Sequence, residues 1–305
     1  MKRLILIDAQ NLAHRFFWRY MKNKREPGSS LHYGTDSTSI LHSFIKELID
    51  LEKTYPESDK VIIWDSPSIR RKAETDKAKV SGLIKTGYKE ERKKMEDSEK
   101  ESLYDQIAHL QTDILPNFGM MQVYIKGFEA DDCIYAYTLK YQDRECVIVS
   151  SDRDFYQCLS EKVIIHDTMN EEIWTHDRFV KDYGFLPSLY VDYGALVGEG
   201  SGGDNIPGVD GCGDVSARKL VRQYGSVGEI LKALSTKEKK SKVEEKILAS
   251  VDLIALSYSL KKMDFLNVPE LLIEKKEEKA VKHLLIEWGC SAMMKDARRL
   301  CGSVK

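Results

Sequence analysis

Glu129, Asp131, Asp132, Asp152 and Asp154 stand in two tight groups within residues 127–155 of this 305-residue chain. The first group opens the run Gly127-Phe-Glu-Ala-Asp-Asp132. The second closes the run Cys146-Val-Ile-Val-Ser-Ser-Asp-Arg-Asp-Phe155. Carboxylates this close cannot all ionise unless some pKa values rise or positive charge enters the site. Hard oxygen donors with no His or Cys among them select Mg²⁺ or Mn²⁺ over zinc. The chemistry they offer is that of bound divalent cations.

The elements that position these groups follow from hydrophobic patterning. Residues 130–141 are predicted as a helix with Ile134, Tyr137 and Tyr141 on one side. Asp131 and Asp132 then fall in its first turn, where the helix dipole favours negative charge. Cys146 to Val149 reads as a short buried strand with Asp152 and Asp154 just past its end. Residues 3–7 form another apolar run ending at Asp8, and Val61-Ile-Ile-Trp a third ending at Asp65. Helical segments separate the runs. Leu12, Phe16, Phe17 and Tyr20 recur at helical spacing, and residues 37–53 turn Ile40, Leu41, Phe44, Leu48 and Leu51 inward. Apolar runs alternating with helices imply parallel strands of one sheet, with the ligand crevice at their carboxyl ends. One Asp after a strand is ordinary loop chemistry. Three at one edge, beside Glu129, Asp131 and Asp132, call for cations.

Composition sets the wider bounds. The chain is 42% hydrophobic and 31% charged, as in soluble globular proteins of one or two domains. It has no run near the ~20 apolar residues of a membrane span. Its start reads as a first strand rather than a signal peptide. The six cysteines lack metal-binding spacing and read as reduced core thiols of a cytosolic protein. The net charge of −2 hides an uneven distribution: seven Lys/Arg against two acids in residues 1–30, and eleven against seven in residues 69–100. Such basic stretches are solvated faces or a polyanion-binding surface beside the metals.

The lysine-rich stretch between Asp65 and Gly127 is too long for an ordinary loop. It reads as a functional or mobile segment, helical in its latter part, or as a solvated connection. From Leu189 a helical run, Tyr190 to Val197, leads into a Gly-rich turn. Gly208, Gly211 and Gly213 precede a predicted helix from Asp214 to Tyr224, where backbone N–H groups can approach a phosphate. Residues 241–262 and 277–287 also read as helical, and residues 237–246 as surface. Residues 225–305 carry no motif, so their helices pack on the core or contact a ligand.

The set Ile-Leu-Ile-Asp8-Ala-Gln-Asn-Leu, Tyr88-Lys-Glu-Glu-Arg92, Gly127 to Asp132, Ser150 to Phe155 and Gly203-Asp-Asn-Ile-Pro-Gly-Val resembles the 5′-nucleases. These are the flap endonucleases and 5′→3′ exonucleases of bacteriophages, with the 5′-nuclease domain of bacterial DNA polymerase I. The resemblance runs from about residue 2 to 224 in the correct order, and a free-standing chain of this length is most similar to the phage enzymes. It implies an α/β, PIN-like nuclease core at 1–187, with a mainly parallel sheet flanked by helices and an arch or gateway at about 66–100. A helical region at 188–305 is expected to carry a helix-hairpin-helix-type DNA-binding motif at about 189–224.

The same resemblance implies two Mg²⁺ ions, replaceable by Mn²⁺. One is assigned to Asp8, Asp65, Glu129, Asp131 and Asp132. The other is assigned to Asp152, Asp154 and Asp204, with Asp131 near both. Family members have Gly-Asp-x-x-Asp-Asn here; this chain has Glu199 in the first Asp's place with extra residues inserted. Either the longer side chain reaches the second ion or that ligand is lost. Asp131 and Asp152 are the implied catalytic carboxylates, with Lys89 and Arg92 as gateway cations. Arg15, Arg71, Tyr88, Gly208, Gly211, Gly213 and Lys219 are the further implied nucleic-acid contacts. Tyr88 is expected either to stack on a base or to pack on the core. Asp214 and Val215 stand where a basic residue is common, with Arg218 or Lys219 nearby to compensate.

The resemblance implies hydrolysis of phosphodiester bonds at 5′ flaps and 5′ ends of branched or nicked DNA, extending to RNA primers in RNA·DNA hybrids, in replication or repair. A cytoplasmic monomer is expected, in a host cytoplasm if phage-encoded, with replication proteins as partners and no membrane association. A non-catalytic branched-DNA-binding protein and a PIN-type ribonuclease are the competing classes.

Overall fold

Leu4–Asp8, the first strand (β1), is buried along its whole length, and its side chains divide between two cores. Leu4 and Leu6 face one, Ile5 and Ile7 the other. That split is the period of a strand, and it makes β1 the middle of three layers. The computed structural model describes residues 2–25, 39–92, 95–200, 203–272, 274 and 276–301. Residues 37 and 38 of the expected second helix, and the inserted Ser201 and Gly202, lie outside them.

The sheet comprises β1, β2 (Asp59–Ile63), β3 (Met121–Val123), β4 (Cys146–Val149), β5 (Val163–Asp167) and β6 (Glu172–Trp174). Their order is β3-β2-β1-β4-β5-β6, parallel except where β6 pairs antiparallel with β5. The three strands read from the sequence are the central ones. Register aligns their ends, with Asp8 beside Ile63 and Ile7 beside Val149. Asp8, Asp65 and Asp152 therefore lie at one edge, where strand order reverses around β1.

The helices are α1 (Ala9–Arg25), α2 (Ser39–Thr54), α3 (Ile69–Val80), α4 (Asp97–His109), α5 (Leu115–Asn117), α6 (Ala130–Lys140) and α7 (His176–Tyr183). They continue with α8 (Tyr190–Val197), α9 (Asp214–Tyr224), α10 (Val227–Thr236), α11 (Lys242–Ala249), α12 (Val251–Lys261) and α13 (Glu278–Glu287). α1, α2, α4 and α13 cover one face of the sheet; α6 and α7 to α12 cover the other. All six cysteines are buried and free. Among the described residues no helix is long and apolar enough to cross a membrane.

The lysine-rich stretch after Asp65 is helical in its latter part, as expected, in α4, and also at its start, in α3. The Ser68 hydroxyl accepts from Arg71 N and caps α3, fixing Arg71 in the first turn. Turns follow from Ser81 to Arg92. The expected helix over 241–262 is two, α11 and α12, parted at Ser250. The motif-free C-terminal part packs on the core: Val281, Leu285, Met293 and Leu300 join the layer that holds α2, while α12 lies along α8.

Candidate active site

The first carboxylate group is built on strand ends and the N-terminus of α6. Asp8 accepts from Asn11 N at 3.2 Å and from the Ser150 hydroxyl at 3.0 Å. The same hydroxyl accepts from Asp152 N at 3.1 Å, so one buried serine ties the ends of β1 and β4. Asp65 accepts from Ala130 N at 3.0 Å and Asp132 from Glu129 N at 3.2 Å, so orphan N–H groups of α6 meet carboxylates. Burial, reinforced by Asp65, raises Asp8 to about 7. Burial also raises Asp65, against the pull of Lys89, and pushes Asp131 well up despite Arg71.

Arg71 is the counter-charge of this group. Its guanidinium grips Asp132 with two bonds of 2.9 and 3.0 Å, Glu129 at 2.6 Å and Asp131 at 3.3 Å, and donates to Leu260 O at 3.0 Å. It is 1% exposed. Its expected role as a nucleic-acid contact is corrected here, because every face is taken by protein and none is offered to a phosphate. Burial opposes the charge, but Asp131 and Asp132 more than offset it and raise the guanidinium's pKa.

The second group gathers from three elements. Asp152 caps the 3₁₀ turn Arg153–Cys158 by accepting from Asp154 N at 2.8 Å. Burial, with the Asp154 charge beside it, raises Asp152 to about 7. Oxygens of Asp154, Glu199 and Asp204 all lie within 4.8 Å of one another. Glu199, the substitute in the altered loop, thus reaches the cluster. Its backbone N donates to Ile206 O at 2.7 Å, folding the loop so that Glu199 and Asp204 face together. The donor set is wholly carboxylate and convergent, which suits a hard divalent cation.

The gateway turn bridges both groups. Tyr88 Oη lies 2.8 Å from Glu129 Oε2 and 2.7 Å from Asp204 Oδ2, and its single proton serves one of them at a time. Lys89 Nζ donates to Glu129 and Arg92 to Asp204. The Lys89 backbone N–H donates to Asp204 O at 3.0 Å, and Asn205 Nδ2 to Thr86 Oγ1 at 2.7 Å. Lys89 and Asn205 both adopt left-handed backbone, φ 60° and 56°. Non-glycine residues hold that conformation when surroundings impose it, commonly at functional sites. Burial raises Asp204, yet Lys89 and Arg92 outweigh it and hold Asp204 below the usual carboxylate value.

Two family profiles tile this chain. One, described as 5′-3′ exonuclease, N-terminal resolvase-like domain, matches residues 3–184; the other, 5′-3′ exonuclease, C-terminal SAM fold, matches residues 185–280. The chain belongs to the 5′-3′ exonuclease family. It is 32% identical over 234 residues to a 5′-3′ exonuclease of Aquifex aeolicus, covering 76% of this chain and 73% of that one. To the thermostable DNA polymerase I of Thermus aquaticus it is 30% identical over 269 residues, 86% of this chain but 28% of the polymerase. The fold matches T5 5′-exonuclease with bound zinc, at TM-score 0.65 and 20% identity over 98% of this chain and 100% of that one. It also matches the catalytic core of Rad2 in complex with DNA substrate, at TM-score 0.60 and 15% identity over 100% and 92%. The mainly parallel sheet with flanking helices and a helical C-terminal unit is this family's architecture.

In this exonuclease-family chain the Gly-rich turn divides. Gly208 packs tightly on the chain before it: a Cβ there would lie 2.2 Å from Val197 O, and one at Gly198 2.3 Å from Gly208 N. The two glycines let two backbone stretches touch, which positions Glu199. Gly211 adopts φ 79°, the left-handed region. Gly213 is exposed, with open space at the start of α9, where N–H groups are free to meet an anion. Arg218 stacks 3.9 Å over Tyr183 and donates to Asp214 at 2.6 Å, while Lys219 is exposed. Arg15 is half-buried and pairs with Asp167 at 3.1 Å. The Tyr88 ring lies 4.8 Å from Lys89 Nζ and its hydroxyl points at Glu129 and Asp204.

Lys261 was not foreseen. It closes α12, is buried, and reaches Asp154 at 2.7 Å and Glu199 at 3.2 Å. No motif surrounds it, and 107 residues separate it from Asp154. Neighbouring carbonyls of the same helix end, Leu260 and Lys261, accept from Arg71 and Gln157. The one available signal was a lysine interrupting the apolar pattern of residues 251–263.

Proposed function

We propose that this 5′-3′ exonuclease is a Mg²⁺-dependent, structure-specific nuclease that cleaves DNA at junctions of single strand and duplex. The observation that carries this reading is the gateway turn, whose Lys89 and Arg92 meet the acidic groups at Glu129 and Asp204. Asp8, Asp65, Glu129, Asp131 and Asp132 would hold one ion; Asp152, Asp154, Glu199 and Asp204 would hold the other, with Asp131 beside both. Such ions would supply an activated water and stabilise the leaving oxygen of an in-line displacement. The protein's own part is electrostatic. Lys89 and Arg92, exchanging carboxylate for phosphate, draw the scissile phosphate to the acidic edge and offset charge developing on it. Gly213 and the N-terminus of α9, with Lys219, hold the duplex backbone without reading sequence.

Zinc bound to T5 5′-exonuclease and DNA bound to Rad2 support a metal-dependent DNA substrate class. RNA·DNA hybrids, a cytoplasmic location, a monomeric state, contact with replication proteins and division of the chain near residue 187 belong to the same proposal. A labelled 5′ flap incubated with Mg²⁺ should be cut near the junction, and a chelator should abolish cutting. Cleavage indifferent to chelator would refute the metal reading. Matched RNA flaps cut faster than DNA would favour a ribonuclease.

A further inference from the structure

Lys261 is placed with more care than a surface ion pair. Its ammonium sits between Asp154 and Glu199, two of the three residues whose oxygens converge in the second group. Its aliphatic stem crosses Gly194 of α8, where a Cβ would come within 2.9 Å of Lys261 Cδ and 3.3 Å of Cε. Only a glycine leaves that passage open. Its backbone carbonyl is held by Gln157 Nε2 at 3.1 Å, and Gln157 also donates to Asp154 O at 2.9 Å. Lysine and carboxylate are therefore fixed to one another through a shared glutamine. The first group has its own buried cation, Arg71, which grips Glu129, Asp131 and Asp132 through a guanidinium tied to Leu260 O.

We propose that Lys261 is a built-in cation of the second carboxylate group, holding Asp154 and Glu199 together and competing with the second divalent ion for their oxygens. The inference rests on the two-ion reading above. A fixed positive charge a few ångströms from a divalent cation repels it, and the ammonium occupies oxygen lone pairs that the ion would use. The second ion then binds with the ammonium displaced or sharing the carboxylates. Lys261 is a positioning residue, and occupancy of the second site becomes its readout.

Mn²⁺ titration of the full chain, with free ion followed by electron paramagnetic resonance, tests this without turnover. The native chain is expected to bind two Mn²⁺. Lys261→Met keeps the stem and removes the charge, and should tighten one of the two ions by about tenfold or more, about 1.4 kcal/mol, leaving the other unchanged. Two ions with unaltered affinities in K261M would overturn the role of Lys261 while sparing the two-ion reading. A single ion in both proteins would overturn both. Should K261M fail to fold, Gly194→Ala displaces the same ammonium with the lysine retained, and must tighten one ion in the same way.

Discussion

The two carboxylate groups face one another across the gateway but are made differently. Asp8, Asp65, Glu129, Asp131 and Asp132 stand on strand ends and a helix start of the sheet core, clamped from behind by Arg71. Asp152 and Asp154 belong to the core too, yet Glu199 and Asp204 come from a loop held by a glycine contact, and their cations arrive from α12 and the gateway. The first group is part of the fold. The second is assembled by long-range contacts, so its geometry depends on segments that can move with little loss of core packing. Damage to the first should appear as instability, damage to the second as altered metal or substrate handling.

Arg71→Ala offers the hardest test of that contrast. It leaves buried carboxylates without their partner, which in comparable sites costs about 3–5 kcal/mol. Chemical denaturation should show that loss; a change below about 1 kcal/mol would remove Arg71 from the fold's support. Asp152→Asn should lower single-turnover cleavage by roughly 10²–10³-fold, the scale of losing a main electrostatic group. Flap affinity, followed by fluorescence anisotropy, should change far less. Lys89→Ala should slow cleavage by about 10²-fold with Mn²⁺ still bound and stability little altered. If D152N and K89A both gave small, equal effects, the separate roles of metal group and gateway would fail.

Smaller effects separate the glycines. Gly208→Ala forces a Cβ against Val197 O and should destabilise by about 1–3 kcal/mol, loosening the Glu199 loop and with it the second Mn²⁺. Gly213→Ala meets open space and should cost about 1 kcal/mol or less, with its main effect on duplex affinity. Reversed magnitudes in thermal melts would contradict the packing role given to Gly208.

How far the sequence reaches follows the same division. β1, β2 and β4 were legible because each is a continuous apolar run buried on both faces, and Asp8, Asp65 and Asp152 follow from where those runs stop. β3 and β6 are three-residue strands with partly exposed side chains, and β5 carries His166 and Asp167, so none offers a comparable run. Arg71 was assigned to nucleic acid by the resemblance alone, and nothing in its own segment shows that the Ser68 cap and the distant partners Glu129, Asp131, Asp132 and Leu260 turn it inward. Lys261 escaped because its one local mark is a lysine interrupting an apolar pattern, with no motif around it. Its meaning lies in contacts with Asp154, Glu199 and the space above Gly194, which the chain order does not reveal.

Anomalous diffraction from crystals soaked in Mn²⁺ bears most directly on the pair of groups. The account predicts two Mn²⁺ peaks. One should be ligated within the set Asp8, Asp65, Glu129, Asp131 and Asp132. The other should be ligated within Asp152, Asp154, Glu199 and Asp204, with the Lys261 ammonium moved from its carboxylates. A chain that cleaves flaps with a single peak, or with a second peak touching neither Glu199 nor Asp204, would contradict it.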